Sequence, residues 1–250
     1  MPAATATIMR RAKPMPEAAL FDLLTWTSPA WPIGSFAYSG GLEWAVEAGH
    51  VHDRASTTGW IAALLDHGAL RNDAVLFVHA WRAADDCDAE RMREIACLAA
   101  ASQTGFERRL EATAQGAAFR RISIDSLGHD TVALGYYAVL LAGIADDDLT
   151  YPVAAAALYA SHGVGQAASL TAWLHGAIAN LVSAAQRLVP LGQTDGQKVL
   201  RDLRSIVLAA VEDAVALPHG DPFKALGGAA MVAELGCMAH ETQYTRLFRT

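Results

Sequence analysis

The chain has 250 residues, of which 53% are hydrophobic and 18% charged, and its formal net charge is -7. That composition belongs to a globular chain long enough to bury a substantial core, and it excludes a disordered polyelectrolyte. The balance of 19 basic against 26 acidic residues argues against general nucleic-acid binding, which needs basic surface to displace phosphate counterions.

Cys87, Cys97 and Cys237 form no CxxC spacing and are odd in number. Neither a disulfide framework nor a cysteine zinc site is indicated, and a reducing cytoplasm is the simplest setting. Residues 1–16 lack the apolar core of a signal peptide and read as a flexible N-terminal tail.

In chain order, Leu20, Leu23 and Leu24 begin an apolar helical face. The stretch SPAWPIGSFAYSGGLEW, Ser28 to Trp44, then interrupts it with Pro29, Pro32, Gly34, Gly40 and Gly41, yet carries Trp31, Ile33, Phe36 and Tyr38. Loops that merely connect helices are short and polar, so this one has another use. Ser56 or Thr57 is placed to cap a helix bearing Trp60, Ile61, Leu64 and Leu65, continuing through Val75, Leu76, Val78 and Trp81. Asp88 starts another with Met92, Ile95 and Leu98, and Phe106, Leu110, Phe119 and Ile122 mark a further amphipathic face.

From Leu149 through Gln186 there is no Asp, Glu, Lys or Arg. Pro152, Gly163, Gly165, His175 and Asn180 interrupt this segment, whereas a bilayer span wants about 20 predominantly apolar residues. Two buried helices broken near SHGVG fit it better. After Gly165, the residues Leu170, Leu174, Ala177, Ile178, Leu181, Ala185 and Leu188 form one stripe, with Trp173 and Val182 on flanking faces. Pro190 and Gly192 end that helix. Thr194 or Asp195 is placed to cap the next, which carries Val199, Leu200, Leu203, Ile206, Val207 and Val211. Leu217–Pro222 is a turn, and Gly227–Glu241 supplies the last helical piece. Strand alternation is nearly absent. The expectation is an all-α, single-domain multi-helix bundle over residues 17–243, followed by a tail over 244–250.

Signals of catalysis are weak. GQTDGQK, Gly192 to Lys198, fails as a phosphate loop because three residues separate its glycines and Gln197 stands before Lys198. It reads instead as an inter-helix loop whose glycines permit positive φ. His50 and His52 lack a third metal ligand at a recognisable spacing and read as solvated. His67, His79, His162 and His175 lie in apolar helical contexts and read as hydrogen-bonded core or groove residues. Ser35 and Ser39 fall outside any nucleophile elbow. Asp146–Asp148 is a solvated turn. No catalytic residue, cofactor or metal site is assigned, and the chain is not expected to be an enzyme.

The opening stretch SPAWPIGSFAYSGGLEWAVEAG resembles the signature of the urease accessory protein F (UreF) family. YPVAAAALYASHGV, LHGAIANLVSAAQRLVPLGQTDGQ and the terminal HETQYTRLFRT follow in the family's order. Gly40 and Ala112 depart from the pattern, in which a glutamine and an acidic residue are more usual. The resemblance implies an all-helical, dimer-forming scaffold without catalytic activity of its own. It implies binding to UreD (also called UreH), recruitment of the GTPase UreG with an influence on its GTP hydrolysis, and nickel delivery to apo-urease. No nucleic acid or membrane is among the expected partners. A generic helical interaction module and a direct nickel-binding chaperone are the alternatives.

The residues assigned to partner contact are Phe36, Tyr38, Ser39 and Glu43 in the loop, and Tyr244, Arg246, Leu247, Phe248 and Arg249 in the tail. Phe36 and Tyr38 anchor the loop either to the chain's own helices or to another protein. Glu43, in the first turn of a helix, complements the helix dipole. The tail docks either into a UreD groove or back onto its own bundle.

Overall fold

The charge-free segment beginning at Leu149 forms the middle of the molecule. In the computed structural model, which describes residues 15–127 and 132–250, it contains an eleven-residue helix buried continuously from Pro152 to Ala160. A helix that is apolar on every side is stable in water only when neighbours surround it. Pro152 sits in its first turn, where the missing N–H costs no internal hydrogen bond.

Eleven α-helices are present among the described residues, with no strand. They are α1 (Glu17–Trp26), α2 (Leu42–Glu47), α3 (Arg54–His67), α4 (Ala69–Asp85), α5 (Ala89–Ala101), α6 (Phe106–Leu127), α7 (Val132–Leu140), α8 (Tyr151–Ser161), α9 (Gln166–Leu188), α10 (Gln193–Ala216) and α11 (Met231–His240). The central helix is α8, covered by α4, α6, α7 and α9. Its alanines let those helices approach closely, and Tyr159 fills the remaining space, stacked on Trp26 at 5.7 Å between ring centroids and beside Phe77 and Phe119. Helices α9 and α10, joined by the short Val189–Gly192 connection, pack on each other, and α10 also lies on α3. Trp173 and Val182 are both buried, as their flanking positions on α9 predict. No described helix is long and apolar enough to cross a membrane. Residues 1–14 lie outside the described residues, and with them most of the expected N-terminal tail.

Local signals were only partly read correctly. Asp88 caps α5 by accepting from the Arg91 N–H at 2.9 Å, as expected. The cap of α3 is Asp53, not Ser56 or Thr57: its carboxylate accepts from the Ser56 N–H at 2.8 Å while Ser56 Oγ accepts from the Asp53 N–H, the reciprocal capping box. The helix expected to run on from Leu65 breaks at Gly68, where any side chain would crowd Leu64 and Ala230. Gly192–Lys198 is not a loop. Gly192 caps α10 with φ of -70°, and Gly196 lies inside the helix, where the Gln186 side chain occupies the space a Cβ would take. Thr194 and Asp195 therefore sit in the first turn rather than at the cap, with Lys198 Nζ 3.0 Å from the Asp195 carboxylate.

Two glycines on adjacent helices give opposite predictions. A methyl group on Gly116 of α6 would overlap the Leu149 carbonyl oxygen, whereas nothing lies within 4 Å of one on Gly135 of α7. Gly116→Ala should lower the unfolding free energy by about 1–3 kcal/mol, the usual cost of overpacking. Gly135→Ala should raise it by about 0.5–1 kcal/mol through helix propensity. Urea unfolding followed by circular dichroism distinguishes the two signs.

Candidate functional site

The opening loop is held by α9 and by the chain's own C-terminal tail. Arg187 Nη1 donates to the Phe36 carbonyl at 2.9 Å, and Asn180 Nδ2 donates to the Tyr38 carbonyl at 3.3 Å. Gly41, with φ of 81°, turns the chain into α2 at a point where a side chain would strike the Cys237 sulfur of α11. Close approach of these two helices also requires Gly236, whose missing side chain leaves room for the Trp44 ring. Burial raises the Cys237 thiol to about 11, so it is a neutral wall group rather than a nucleophile.

Where α2, α6 and α11 meet, three buried ionisable side chains face one another. His240 is completely enclosed. Its Nδ1 lies 2.7 Å from Glu107 Oε2 and its Nε2 lies 3.0 Å from Glu43 Oε2. An ionised carboxylate only accepts hydrogen bonds, so with both glutamates ionised both contacts form only when both ring nitrogens carry hydrogen. Arg246 Nη1 lies 2.6 Å from Glu107 Oε1 and adds a guanidinium partner to the cluster. Pairing and hydrogen bonding of this kind make burial of such groups tolerable.

The same carboxylates grip the tail. Leu247 N–H donates to Glu43 Oε1 at 2.6 Å and Phe248 N–H to Glu43 Oε2 at 2.9 Å. Arg249 N–H donates to the Ala37 carbonyl at 2.9 Å, and the Ser39 N–H to the Thr250 carbonyl at 3.1 Å. The Thr250 hydroxyl donates to Glu111 Oε2 at 2.9 Å and accepts from the Gly40 N–H at 3.2 Å. Leu247 and Arg249 face solvent while Phe248 and Thr250 are buried, the alternation of an extended segment lying on a surface. Phe248 completes a small second core with Leu42, Ala45, Val51, Ala184, Ala185 and Val189, and the Arg187 guanidinium lies 4.3 Å from its ring centre.

Behind this node α6 buries polar rather than apolar residues. Glu111 takes Arg108 Nη1 at 2.6 Å and Gln115 Nε2 at 3.3 Å. Phe106 and Leu110, expected on a buried face, are exposed, and only Phe119 of that set is fully buried. The reason is that the carboxylates of Glu107 and Glu111, one turn apart, must face the tail. Asp73 of α4 lies near the same group, and burial pushes its carboxyl up to about 6 against the pull of Arg108.

The structure separates the expected contact residues into two sets. Phe36, Tyr244 and Leu247 are exposed, with the Phe36 side chain at 70% of its free surface. Arg246 and Arg249 are also exposed, although Arg246 spends its guanidinium on Glu107. Tyr38, Ser39, Glu43 and Phe248 are buried within the chain itself. Glu43 lies in the first turn of α2, as expected, but its hydrogen bonds go to His240 and the tail. The residues missed by the sequence reading are Glu107, Glu111, Arg187, His240 and Thr250. The Glu107/Glu111 spacing of four was the available signal for the first two. Of the histidines expected in core or groove, His79 is buried and His162 half-buried, while His67 and His175 are exposed. His50 and His52 are exposed, and no group of three His, Cys, Asp or Glu able to hold a metal occurs among the described residues.

These features define an all-helical bundle whose C-terminal segment is clamped onto its first loop by buried carboxylates. The UreF family profile matches residues 51–204. A protein of Rhodopseudomonas palustris strain HaA2, called urease accessory protein UreF, is 45% identical over 250 residues, covering all of both chains. Its namesake from strain BisB5 is 47% identical over 234 residues, 94% of this chain and 92% of its own. Another of that name, from Bradyrhizobium sp. strain BTAi1, is 45% identical over 235 residues, 93% of this chain and 92% of its own. The chain belongs to the UreF family.

Two variants test the electrostatics. His240→Ala leaves two carboxylates facing each other without the imidazole and should cost about 3 kcal/mol or more of stability. It should also speed tryptic cleavage after Arg246, read by mass spectrometry. For Asp73 the sign is opposite. Its folded pKa of about 6 exceeds the ordinary 3.8, so the folded state holds the proton longer and stability falls as pH rises between these values. Asp73→Asn should therefore stabilise the protein at pH 7, by on the order of 2 kcal/mol, with the gain shrinking toward pH 4. Urea unfolding of both chains across that range measures the difference.

Proposed function

We propose that this chain serves urease maturation as a non-catalytic, cytoplasmic scaffold. It binds UreD (UreH), recruits the GTPase UreG, acts as a homodimer within that assembly, and supports nickel insertion into apo-urease. Through UreG it influences the coupling of GTP hydrolysis to metal delivery. Membership in the UreF family supports the setting, and the names of the full-length relatives tie them to urease.

The observation that carries the scaffold role is the arrangement of apolar side chains around the docked tail. Phe36, Tyr244 and Leu247 are exposed beside a backbone held by buried hydrogen bonds. Met231, Leu235 and Met238 add an exposed stripe on α11, and Phe106 lies next to its C-terminal end through the hydrogen bond from its N–H to Glu241 Oε1 at 2.7 Å. Large apolar groups on a fixed base lose little conformational freedom when a partner covers them, which favours tight association. Tyr38, Ser39, Glu43 and Phe248 act by holding that surface in shape, and Arg246 and Arg249 supply charge at its edge.

Point variants test this better than truncation, because deleting 244–250 also removes Phe248 from the core. Tyr244→Ala, Leu247→Ala and Phe36→Ala should each change stability by less than about 0.5 kcal/mol, as exposed substitutions do. At least one should weaken co-purification with UreD by about tenfold or more, the effect of a central interface residue. Urease activation in a reconstituted mixture should fall with it. Normal complexes from all three variants would remove this surface from the interface.

A further inference from the structure

The connection from α10 to α11, together with α3 and α4, lines an open cavity of about 680 Å³ that shares no lining residue with the tail site. Small-molecule sites fall in a range of roughly 300–1,000 Å³. Three arginines fix its wall by donating to backbone carbonyls at the end of α10 and in the connection that follows it. Arg71 Nη1 reaches Ala225 and Gly227 at 3.0 and 3.1 Å, Arg82 Nη2 reaches Val215 at 2.9 Å, and Arg91 reaches Gly220. Carbonyl partners leave the charges of Arg71 and Arg82 uncompensated, whereas Arg91 is paired with Glu94. Lys224 is exposed in the lining and has no ion pair among the described residues. Asp66 and Asp221 also line the space and bring negative charge to it; Asp221 accepts from the Phe223 N–H, and at His79 its influence is outweighed by Arg82 and Arg91.

The side chain that points to a ligand is His79. It is 6% exposed, lines the cavity, and makes no hydrogen bond among the described residues. Burial, reinforced by Arg82 and Arg91, lowers its pKa to about 4, which leaves at pH 7 a neutral ring with one donor and one acceptor nitrogen. A donor and an acceptor that face this space without a protein partner can both be taken up by a bound molecule.

We propose that this cavity binds a small oxyanion-bearing molecule, a phosphate or carboxylate compound, whose anionic group pairs with Lys224 in the field of Arg71 and whose body reaches the His79 imidazole. The site is independent of the tail and of the role in urease maturation. The test uses the full chain at constant ionic strength, with inorganic phosphate, succinate and, as a neutral control, glycerol. The imidazole resonances of His79 are followed by NMR. Phosphate or succinate should shift them saturably and glycerol should not, and the anion that saturates at lower concentration identifies the class. Lys224→Gln, an exposed substitution, should keep the melting temperature and weaken binding by roughly fivefold, the effect of losing one partly screened ion pair. His79→Gln should retain a donor and an acceptor and preserve part of the affinity, read from the anion-dependent rise in melting temperature. Absence of a saturable His79 shift with both anions, or equal affinity in Lys224→Gln, would overturn the assignment.

Discussion

Two buried glutamates share one imidazole, and the C-terminal end of the molecule takes its form from how they are satisfied. Glu43 accepts three hydrogen bonds, from His240 and from the Leu247 and Phe248 backbone, while Glu107 faces His240 and Arg246. Carboxylates taken out of water are tolerated only when paired and hydrogen-bonded, so the helices bearing them must converge on the tail. This explains why α2, only six residues long and too short to be stable alone, has a fixed place. It also explains why α6 turns its acidic side inward and leaves Phe106 and Leu110 in water.

The node joins parts of the chain that are remote in sequence. Glu43 and Leu247 are 204 positions apart, yet their hydrogen bond is among the shortest in the tail. Because the tail is extended, anchoring Phe248 and Thr250 inward forces Leu247 outward. Phe36 is exposed on the same surface, on a loop whose backbone is held where the Phe36 carbonyl accepts from Arg187 and the Ala37 carbonyl accepts from Arg249. The exposed apolar surface thus follows from the buried polar one. The scaffold reading depends on that relation, since a partner would meet a surface already ordered by the chain itself.

Much of the bundle was legible because helical periodicity records burial directly. The α9 stripe, the break near Gly163 and the Asp88 cap all rest on local spacing, and the charge-free segment does form the two helices expected of it, α8 and α9. Boundaries set by distant crowding were not legible. Gly68, at the break, is crowded by Ala230, and Gly196, inside α10, is crowded by Gln186, contacts that spacing does not reveal. At the site, the loop's mixture of glycines, prolines and aromatics was visible, and so was the possibility that its aromatics divide between core and surface. His240 was missed because a lone histidine in an apolar helix says nothing of the two carboxylates it will meet. Phe248 and Tyr244 look alike in the sequence of the tail, and only its extended alternation on the bundle separates a core residue from an exposed one.

The central claim is that the carboxylate–imidazole node holds the tail on the bundle in the isolated chain. Amide hydrogen exchange at Leu247 and Phe248, measured on the full-length protein without partners, tests it most directly. The account predicts that both amides are protected to the same degree as the helical amides of α2, because all depend on the same opening event. Exchange of Leu247 and Phe248 at the rate of an unstructured peptide, with α2 still protected, would contradict it.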